Sequence, residues 1–200
     1  MKRQILNVFF GLAVMAMAAC STDEEPILAY TADDIRTNAE GPVRLSLRLL
    51  NEDMQEATVF KVGKNFVFDF TIENLSDADF LRKKTKEDSD LILDGDFFCV
   101  YKENGERVDT PWNYWWWTAM EPSDWVYPPH SERHIRCQWY AREPFVSNGD
   151  NPVTKGLDGE KPFLPKGKYY TKFTVVYNST PGQDSPHMVE QEYIIHFKIK

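Results

Sequence analysis

The stretch that decides the fold class is Phe66-Val67-Phe68-Asp69-Phe70-Thr71-Ile72-Glu73-Asn74. From Phe66 to Ile72 every second residue is large and apolar, and three of the four residues that alternate with them are polar. A period of two places the apolar set on one face of an extended strand, where it can pack into a core. Asn74 then starts a turn sequence, so the stretch predicts one β-strand that ends there.

The same period of two recurs on both sides of this stretch. Asn104-Gly105 adds a hairpin signal, because both residues tolerate a positive φ, and the return strand is expected to begin at Arg107. Residues 76–96 are charged and poorly periodic, which predicts an exposed loop with room for one helical turn. Further strands are predicted over residues 43–49, 58–62, 97–101, 133–140, 168–177 and 189–199. The pattern indicates an all-β fold, an antiparallel sandwich of about seven strands that spans residues 43–200.

Three stretches carry a resemblance to a known family: the strand at 66–74, the hairpin Val100-Tyr101-Lys102-Glu103-Asn104-Gly105-Glu106-Arg107-Val108, and Leu164-Pro165-Lys166-Gly167-Lys168-Tyr169-Tyr170. In this order they resemble the bacterial intracellular proteinase inhibitor domain. That family also has a hydrophobic strand ending in Asn, then an Asn/Asp-Gly hairpin, then a Pro-x-Gly-x-Tyr strand start. The resemblance covers residues 66–177 and implies an immunoglobulin-like sandwich, with protease inhibition as one expected function. This chain differs from the family in carrying features of export.

Residues 1–19 have the layout of a signal peptide. Lys2 and Arg3 supply the positive region, and an apolar stretch follows from residue 5 to residue 19. That stretch is shorter than the ~20 residues that a spanning helix needs, and no second long apolar run follows it. The N-terminus therefore indicates export without a membrane-spanning helix.

Met17-Ala18-Ala19-Cys20 resembles the lipobox of bacterial lipoproteins, in which cleavage falls before a cysteine that carries the lipid. The family prefers leucine where this chain has Met17. The resemblance implies that Cys20 is lipidated and that residues 20–42 form a flexible tether. The acidic tract at 21–25 resembles an export signal to the outer face of the outer membrane. We therefore expect a lipid-anchored protein of the outer membrane, at the cell surface, with the periplasmic side as the alternative.

The charge balance excludes one class of partner. The chain has 23 basic and 31 acidic residues, a formal net charge of −8, and no basic run. Nucleic-acid-binding domains carry a basic patch, so nucleic acid is not expected as a partner. The expected partners are the membrane, through the lipid anchor, and a glycan or a protein.

Two cysteines remain besides Cys20. Cys99 and Cys137 both lie in apolar, strand-like stretches, and an exported protein folds where disulfides are permitted. The sequence leaves two alternatives open at this point. The pair is a candidate disulfide, or both residues are buried free thiols, because cysteine is a common core residue.

The most unusual feature is an aromatic segment between residues 112 and 127. Four consecutive aromatic side chains at 114–117 cannot all point inward from a strand, because neighbouring side chains face opposite ways. Exposed indole rings can stack on sugars, which predicts a glycan site, and a protein interface is a second alternative. Packed rings would instead form a satellite core that pins the loop to the sandwich. The candidate ligand-binding residues are Trp112, Tyr114, Trp115, Trp116, Trp117, Trp125 and Tyr127.

Catalytic and metal-binding motifs do not stand out. The chain has no Gly-x-Ser-x-Gly turn and no glycine-rich phosphate loop. His130 and His134 have no third ligand nearby, and the acids between 88 and 96 do not follow the EF-hand order. We therefore expect a non-catalytic ligand-binding module, without cofactor or metal, with glycan as the leading ligand class. A structural or protein-interaction subunit and a protease inhibitor are the alternatives.

Replacing Cys20 with Ala should abolish lipidation and release the protein from membranes. Each buried acyl CH₂ contributes ~0.8 kcal/mol to anchoring, and the sequence has no second long apolar run to replace it. Metabolic labelling with a fatty-acid analogue, followed by membrane fractionation, measures both effects. Cys99→Ala is the matched control and should leave the labelling unchanged. Label that persists in the Cys20→Ala chain would contradict the assignment.

Overall fold

The computed structural model describes residues 27–38, 41–83, 89–93, 95–111, 124–140 and 162–200. Across these ranges the regular secondary structure consists of β-strands. The described residues contain no helix that is long and apolar enough to cross a membrane. The described residues form eleven strands. In chain order they are β1 (Val43–Leu50), β2 (Val59–Phe60), β3 (Val67–Asn74), β4 (Phe80–Lys83), β5 (Leu91–Leu93), β6 (Val100–Lys102), β7 (Arg107–Asp109), β8 (Asp124–Tyr127), β9 (Ser131–Gln138), β10 (Gly167–Asn178) and β11 (Met188–Ile199).

Two sheets face each other across one core. The smaller sheet has the order β1-β3-β9 and is antiparallel throughout. The larger sheet has the order β2-β11-β10-β6-β7, with β5 also paired to β10 and with β2 parallel to β11. A separate two-stranded ribbon consists of β4 and β8. The all-β sandwich predicted from the sequence is confirmed, with more strands than the expected seven.

The core lies between the inward faces of the two sheets, with β1, β3 and β9 on one side and β10 and β11 on the other. The buried ring of Phe70 on β3 lies 5.4 Å from Phe97, 5.9 Å from Phe173 and 5.3 Å from Tyr193, measured between ring centroids. All three contacts are edge-to-face, the arrangement that the ring quadrupole favours beyond simple burial. Because Phe173 and Tyr193 belong to the larger sheet, these contacts join the two sheets directly.

The long alternating strands occur close to their predicted bounds. The predictions are wrong at some of the short strands, which the sequence pattern does not indicate. The hairpin at Asn104-Gly105 is confirmed, and Gly105 has a φ of +87°. Residues 76–96 are not a simple exposed loop, because they contain β4 and β5. Phe80 of β4 is fully buried, with its ring 5.9 Å from that of Tyr127 on β8. Strands of three or four residues pair with distant partners and have too few residues to show a period.

Residues 27–38, which we call the strap, correct the predicted boundary of the tether. Ile35 exchanges two backbone hydrogen bonds with Ile194 of β11, each 2.9 Å long. Thr37 then forms a bridge with Ser46 of β1. The strap therefore runs from the larger sheet to the smaller one and belongs to the folded domain, although we expected a flexible tether up to residue 42.

The end of β3 is held by the side chain of Asn74, which is fully buried. Its amide donates hydrogen bonds to the carbonyl oxygens of Ala78, Tyr127 and Pro128, at 2.8, 2.9 and 3.1 Å. Its own oxygen accepts a hydrogen bond from the backbone N–H of Ser76 at 3.0 Å. Buried carbonyl groups are costly to leave unpaired, so this one side chain joins β3 to the end of β8.

The outer face of the smaller sheet contains a buried carboxylate. Asp69 on β3 lies in register with Arg48 on β1 and Arg136 on β9. Arg48 Nη2 is 2.6 Å from Oδ2 of Asp69, and Arg136 Nε is 3.0 Å from Oδ1. His134 Nδ1 also lies 2.8 Å from Oδ1. Charge-assisted hydrogen bonds from both neighbouring strands thus meet at one carboxylate and tie the three strands together.

The surroundings of Asp69 decide its protonation. Burial alone would raise the pKa of this carboxyl, but the hydrogen bond from His134 and the charges of His134, Arg136 and Arg48 hold its pKa below the usual range. A lowered pKa in the folded state stabilises the protein above the unfolded-state pKa of about 3.9. That contribution is lost as the pH falls through the folded-state pKa.

Asp69→Asn should lower the free energy of unfolding at pH 7 by roughly 3 kcal/mol, because two arginines lose a buried counter-charge. Below about pH 4 the stability of this variant should fall less steeply than that of the native chain, since the group that takes up the proton is gone. Urea denaturation at a series of pH values measures both effects.

The matched control is Asp77→Asn, whose carboxylate is 99% exposed. This control should stay within about 0.5 kcal/mol of the native chain. Equal acid sensitivity in the Asp69→Asn variant and the native chain would contradict the role assigned to Asp69.

Candidate functional site

Four side chains line up across the outer face of the larger sheet. Tyr101 of β6, Tyr170 of β10 and His196 of β11 are directly opposite one another in the strand register. Their ring centroids are 5.2 Å apart between the tyrosines and 5.6 Å apart between Tyr170 and His196. Arg107 of β7 lies opposite Tyr101 and continues the line. We call these four residues the aromatic row.

Strand alternation turns the aromatic row away from the core. Tyr169 and Thr171 on β10 are buried, so Tyr170 between them faces the opposite side. Cross-strand partners share a face of the sheet, which places Tyr101 and His196 on that side as well. All three rings are half-buried, so each contacts its neighbours and also reaches solvent.

The two tyrosine rings stack on each other, since their ring planes are only 15° from parallel and their centroids are 5.2 Å apart. Burial raises the pKa of Tyr101 to about 12, and a hydrogen bond with the Cys99 thiol adds to that increase. The Tyr101 hydroxyl therefore stays protonated at physiological pH, and its oxygen can still accept a hydrogen bond from a ligand.

Charged partners hold both ends of the aromatic row. At one end, Arg107 Nη2 lies 3.3 Å from Asp96 Oδ1 at the surface. At the other end, Asp34 of the strap places its buried carboxylate against His196. Its Oδ1 accepts a hydrogen bond from the backbone N–H of His196 at 2.8 Å and lies 2.8 Å from Nδ1 of the ring. The strap thus fixes the orientation of the imidazole.

The pairing of Asp34 with His196 resembles the acid–histidine pair of a catalytic triad. The nearby hydroxyl of Thr31 does not complete a triad. Thr31 Oγ1 lies 3.4 Å from His196 Nδ1, the same ring nitrogen that contacts Asp34. A triad requires the nucleophile at the opposite ring nitrogen. This geometry orients the imidazole and does not activate Thr31.

Two of the predicted ligand-binding aromatic residues lie in the described part of the chain. Tyr127 is buried in the core beside Phe80, so it is not available to bind a ligand as predicted. Trp125 lies on the same face of β8, is half-buried and packs against the core, with the Arg133 guanidinium 5.4 Å from its ring. Outside the described residues lie Cys20, Trp112, Tyr114, Trp115, Trp116 and Trp117.

Cys99 and Cys137 are buried free thiols in the structure, so the alternative of a disulfide between them is wrong. Cys137 faces the core from the smaller sheet. Cys99 lies between Phe98 and Val100, which both belong to the core, and its sulfur instead contacts Tyr101 on the outer face of the larger sheet. The larger sheet therefore separates the two sulfur atoms, and burial raises the pKa of both thiols.

The side chains considered as metal ligands have other partners. His130 and His134 contact carboxylates at 3.0 and 2.8 Å. Asp90 accepts hydrogen bonds from β4 and β10 at 2.8 and 2.7 Å, and Asp88 and Asp94 lie outside the described residues. Within the described ranges, no group of three His, Cys, Asp or Glu residues could hold a metal ion.

Sequence reasoning does not identify the aromatic row, although it predicts the strands that carry it. One local signal is present, because Tyr170 occupies an outward position in the alternation of residues 168–177. Only tertiary pairing shows that β6 and β11 are the strands on either side of β10. A row that crosses strands has no contiguous sequence pattern.

Comparisons with known proteins add a structural likeness. No protein-family model and no curated protein matches the chain. The chain is similar to a solved structure described as "Crystal structure of the C-terminal domain of wzt", with a TM-score of 0.46 and 9% sequence identity. The likeness covers 87% of this chain and 82% of that one. An overlap of this size and identity assigns neither a family nor a function.

In the chain carrying Cys20→Ser, a thiol reagent should label no cysteine while the protein is folded and two after unfolding. The reason is that both thiols are buried and their raised pKa leaves little thiolate to react. Mass spectrometry with and without reductant checks the same point, and the two masses should agree. Adding Cys137→Ser should leave one reactive thiol after unfolding. A mass gain on reduction would show that Cys99 and Cys137 form a disulfide and would contradict the free thiols.

Proposed function

We propose that this chain is a membrane-anchored, non-catalytic binding module whose ligand is a glycan. The aromatic row on the outer face of the larger sheet is the observation that carries the proposal. The signal peptide, the lipid on Cys20 and the location at the outer membrane surface are part of the same proposal, and they rest on the residues at 1–25.

The aromatic row suits a polyhydroxylated ligand. Adjacent strands are about 4.8 Å apart, so the row offers a polar side chain at each step across the sheet. Arg107 adds a planar set of donors, which can bind two neighbouring oxygens at once. Strands hold all four side chains in place, so little conformational entropy is lost when a ligand binds.

In the sequence, the predicted aromatic segment follows soon after β7. Strand β7 carries Arg107 and ends at Asp109, and Trp112 follows three residues later. Three extended residues span at most about 11 Å, which is the length of chain between the end of β7 and Trp112. Exposed tryptophans at 115–117 would supply the flat faces that the stacked tyrosines do not offer. Their part in binding stays a prediction.

A single substitution in the middle of the aromatic row tests the proposal. In the mature protein, Tyr170→Ala should weaken binding to a glycan-array ligand about tenfold, or roughly 1.4 kcal/mol. The melting temperature should change little, because Tyr170 is half-exposed on the outer face and makes no part of the core. Tyr170→Phe separates the hydroxyl from the ring and should lose part of the affinity.

The matched control is Arg44→Ala, which removes a surface side chain from the outer face of the smaller sheet. It should leave glycan binding unchanged. If no glycan on the array is bound, the proposed ligand class is wrong. If glycans bind equally well to the native and Tyr170→Ala proteins, the aromatic row is not the site.

A further inference from the structure

Two lysines lie beside the aromatic row, on the same strands. Lys168 precedes Tyr170 by two residues on β10, and Lys198 follows His196 by two residues on β11. Residues two apart on a strand share a face, so both lysines lie on the outer face with the aromatic row, about 7 Å along each strand. Lys168 and Lys198 are also directly opposite each other in the strand register, and both are exposed.

A third lysine extends this positive surface. Lys166 is exposed and lines the same open cleft as Lys168, between the hairpin of β6 and β7 and the start of β10. Glu103 lines that cleft too, and its Oε1 lies 2.7 Å from Nζ of Lys168. We call Lys166, Lys168 and Lys198 the lysine cluster. It places three positive charges beside one carboxylate in a chain whose net charge is −8.

Two ammonium groups of the lysine cluster have no counter-charge in the described part of the chain. Lys102 lines the same cleft, but its charge is balanced by Glu106, whose Oε1 lies 2.7 Å from Nζ. Among the residues that the structure describes, no carboxylate forms an ion pair with Lys166 or Lys198. Asp33, an exposed acid in the turn of the strap, pairs with neither of them.

The placement of Lys198 opposite Lys168 lowers stability, because like charges directly opposite each other on neighbouring strands repel. The ion pair of Lys168 with Glu103 offsets little of this repulsion, since its side chains are 62% and 66% exposed and surface pairs contribute little. A local arrangement that breaks a rule of stability without a structural gain is typical of a functional site. The lysine cluster therefore indicates a ligand that supplies negative charge.

We infer that the glycan is acidic, and that the lysine cluster binds its carboxylate groups while the aromatic row binds its sugar rings. This inference rests on the proposed glycan binding and adds the charge of the ligand. The ammonium groups of Lys166 and Lys198 donate charge-assisted hydrogen bonds to a carboxylate, which also relieves the repulsion from Lys168. A lysine has a long flexible stem, so its ammonium group reaches a carboxylate on a sugar ring held by the aromatic row.

The test begins with an array of neutral, carboxylated and sulfated glycans, screened with the mature protein. The best-bound carboxylated glycan is then compared with its carboxyl-reduced form, in which a neutral hydroxymethyl group replaces each carboxylate. Reduction should weaken binding about tenfold, because the charge-assisted hydrogen bonds are lost. Added salt should weaken binding of the carboxylated glycan more than binding of the reduced one, because salt screens exposed charges.

The double variant Lys166→Gln and Lys198→Gln should bind the carboxylated glycan about tenfold more weakly and the reduced form equally well. Its melting temperature should not fall, because both side chains are exposed and Lys198 faces a like charge. Lys198→Arg keeps the charge and should keep most of the affinity. Arg44→Gln is the matched control, because it removes a positive charge from the outer face of the smaller sheet, and it should leave binding unchanged.

The outcomes separate this inference from the proposed function. If only neutral or only sulfated glycans bind, the inference is wrong and glycan binding stands. The inference is also wrong if the double variant binds the carboxylated glycan as tightly as the native chain does, and Tyr170→Ala then shows whether the aromatic row is still the site. If no glycan on the array is bound, the inference and the proposed function fail together.

Discussion

The contact between Phe70 and the rings of the opposite sheet is the interaction on which the rest of the structure depends. Its neighbours Phe173 and Tyr193 come from β10 and β11, so the contact decides which strands of the larger sheet lie over β3. Close-packed rings allow little sliding of one sheet over the other, because any shift opens a void or forces a clash. The inward faces of β10 and β11 are thereby fixed, and their outward residues are fixed with them. The alignment of Tyr170 with His196 on the outside therefore follows from packing on the inside.

Each central strand serves two purposes because its side chains alternate. On β3 the inward residues build the core, while Asp69 on the other face collects charges from both neighbouring strands. On β10, Tyr169 is part of the core and the adjacent Tyr170 reaches solvent. The core lies between the sheets, and the proposed binding residues lie on the outer face of the larger sheet. The outward residues are free to vary in chemistry as long as the inward ones keep their volume.

The long strands can be predicted from the sequence, because β1, β3, β10 and β11 alternate over eight or more residues. The ribbon of β4 and β8 cannot be predicted in this way. Its four-residue strands are too short to show an alternating pattern, and each depends on a partner that is distant in the sequence. The strap has no period at all, and only its backbone pairing with Ile194 places it in the domain. Cys99 lies just before β6, outside the regular strand. The predicted strand over 97–101 therefore does not tell which face of the sheet the Cys99 side chain is on. The aromatic row is assembled from distant segments, so the proximity of its residues needs tertiary structure.

The strap has a mechanical consequence for a protein held at its N-terminus. In a chain anchored at Cys20, as proposed, a pull on the anchor would reach the domain through residue 27 and would load the backbone hydrogen bonds of the strap before the core. Asp34 lies in this loaded segment, and its carboxylate holds the imidazole of His196 in the aromatic row. Tension that peels the strap would release that imidazole and loosen one end of the row while the core stays intact. The same segment that secures the domain would then make its binding face responsive to force.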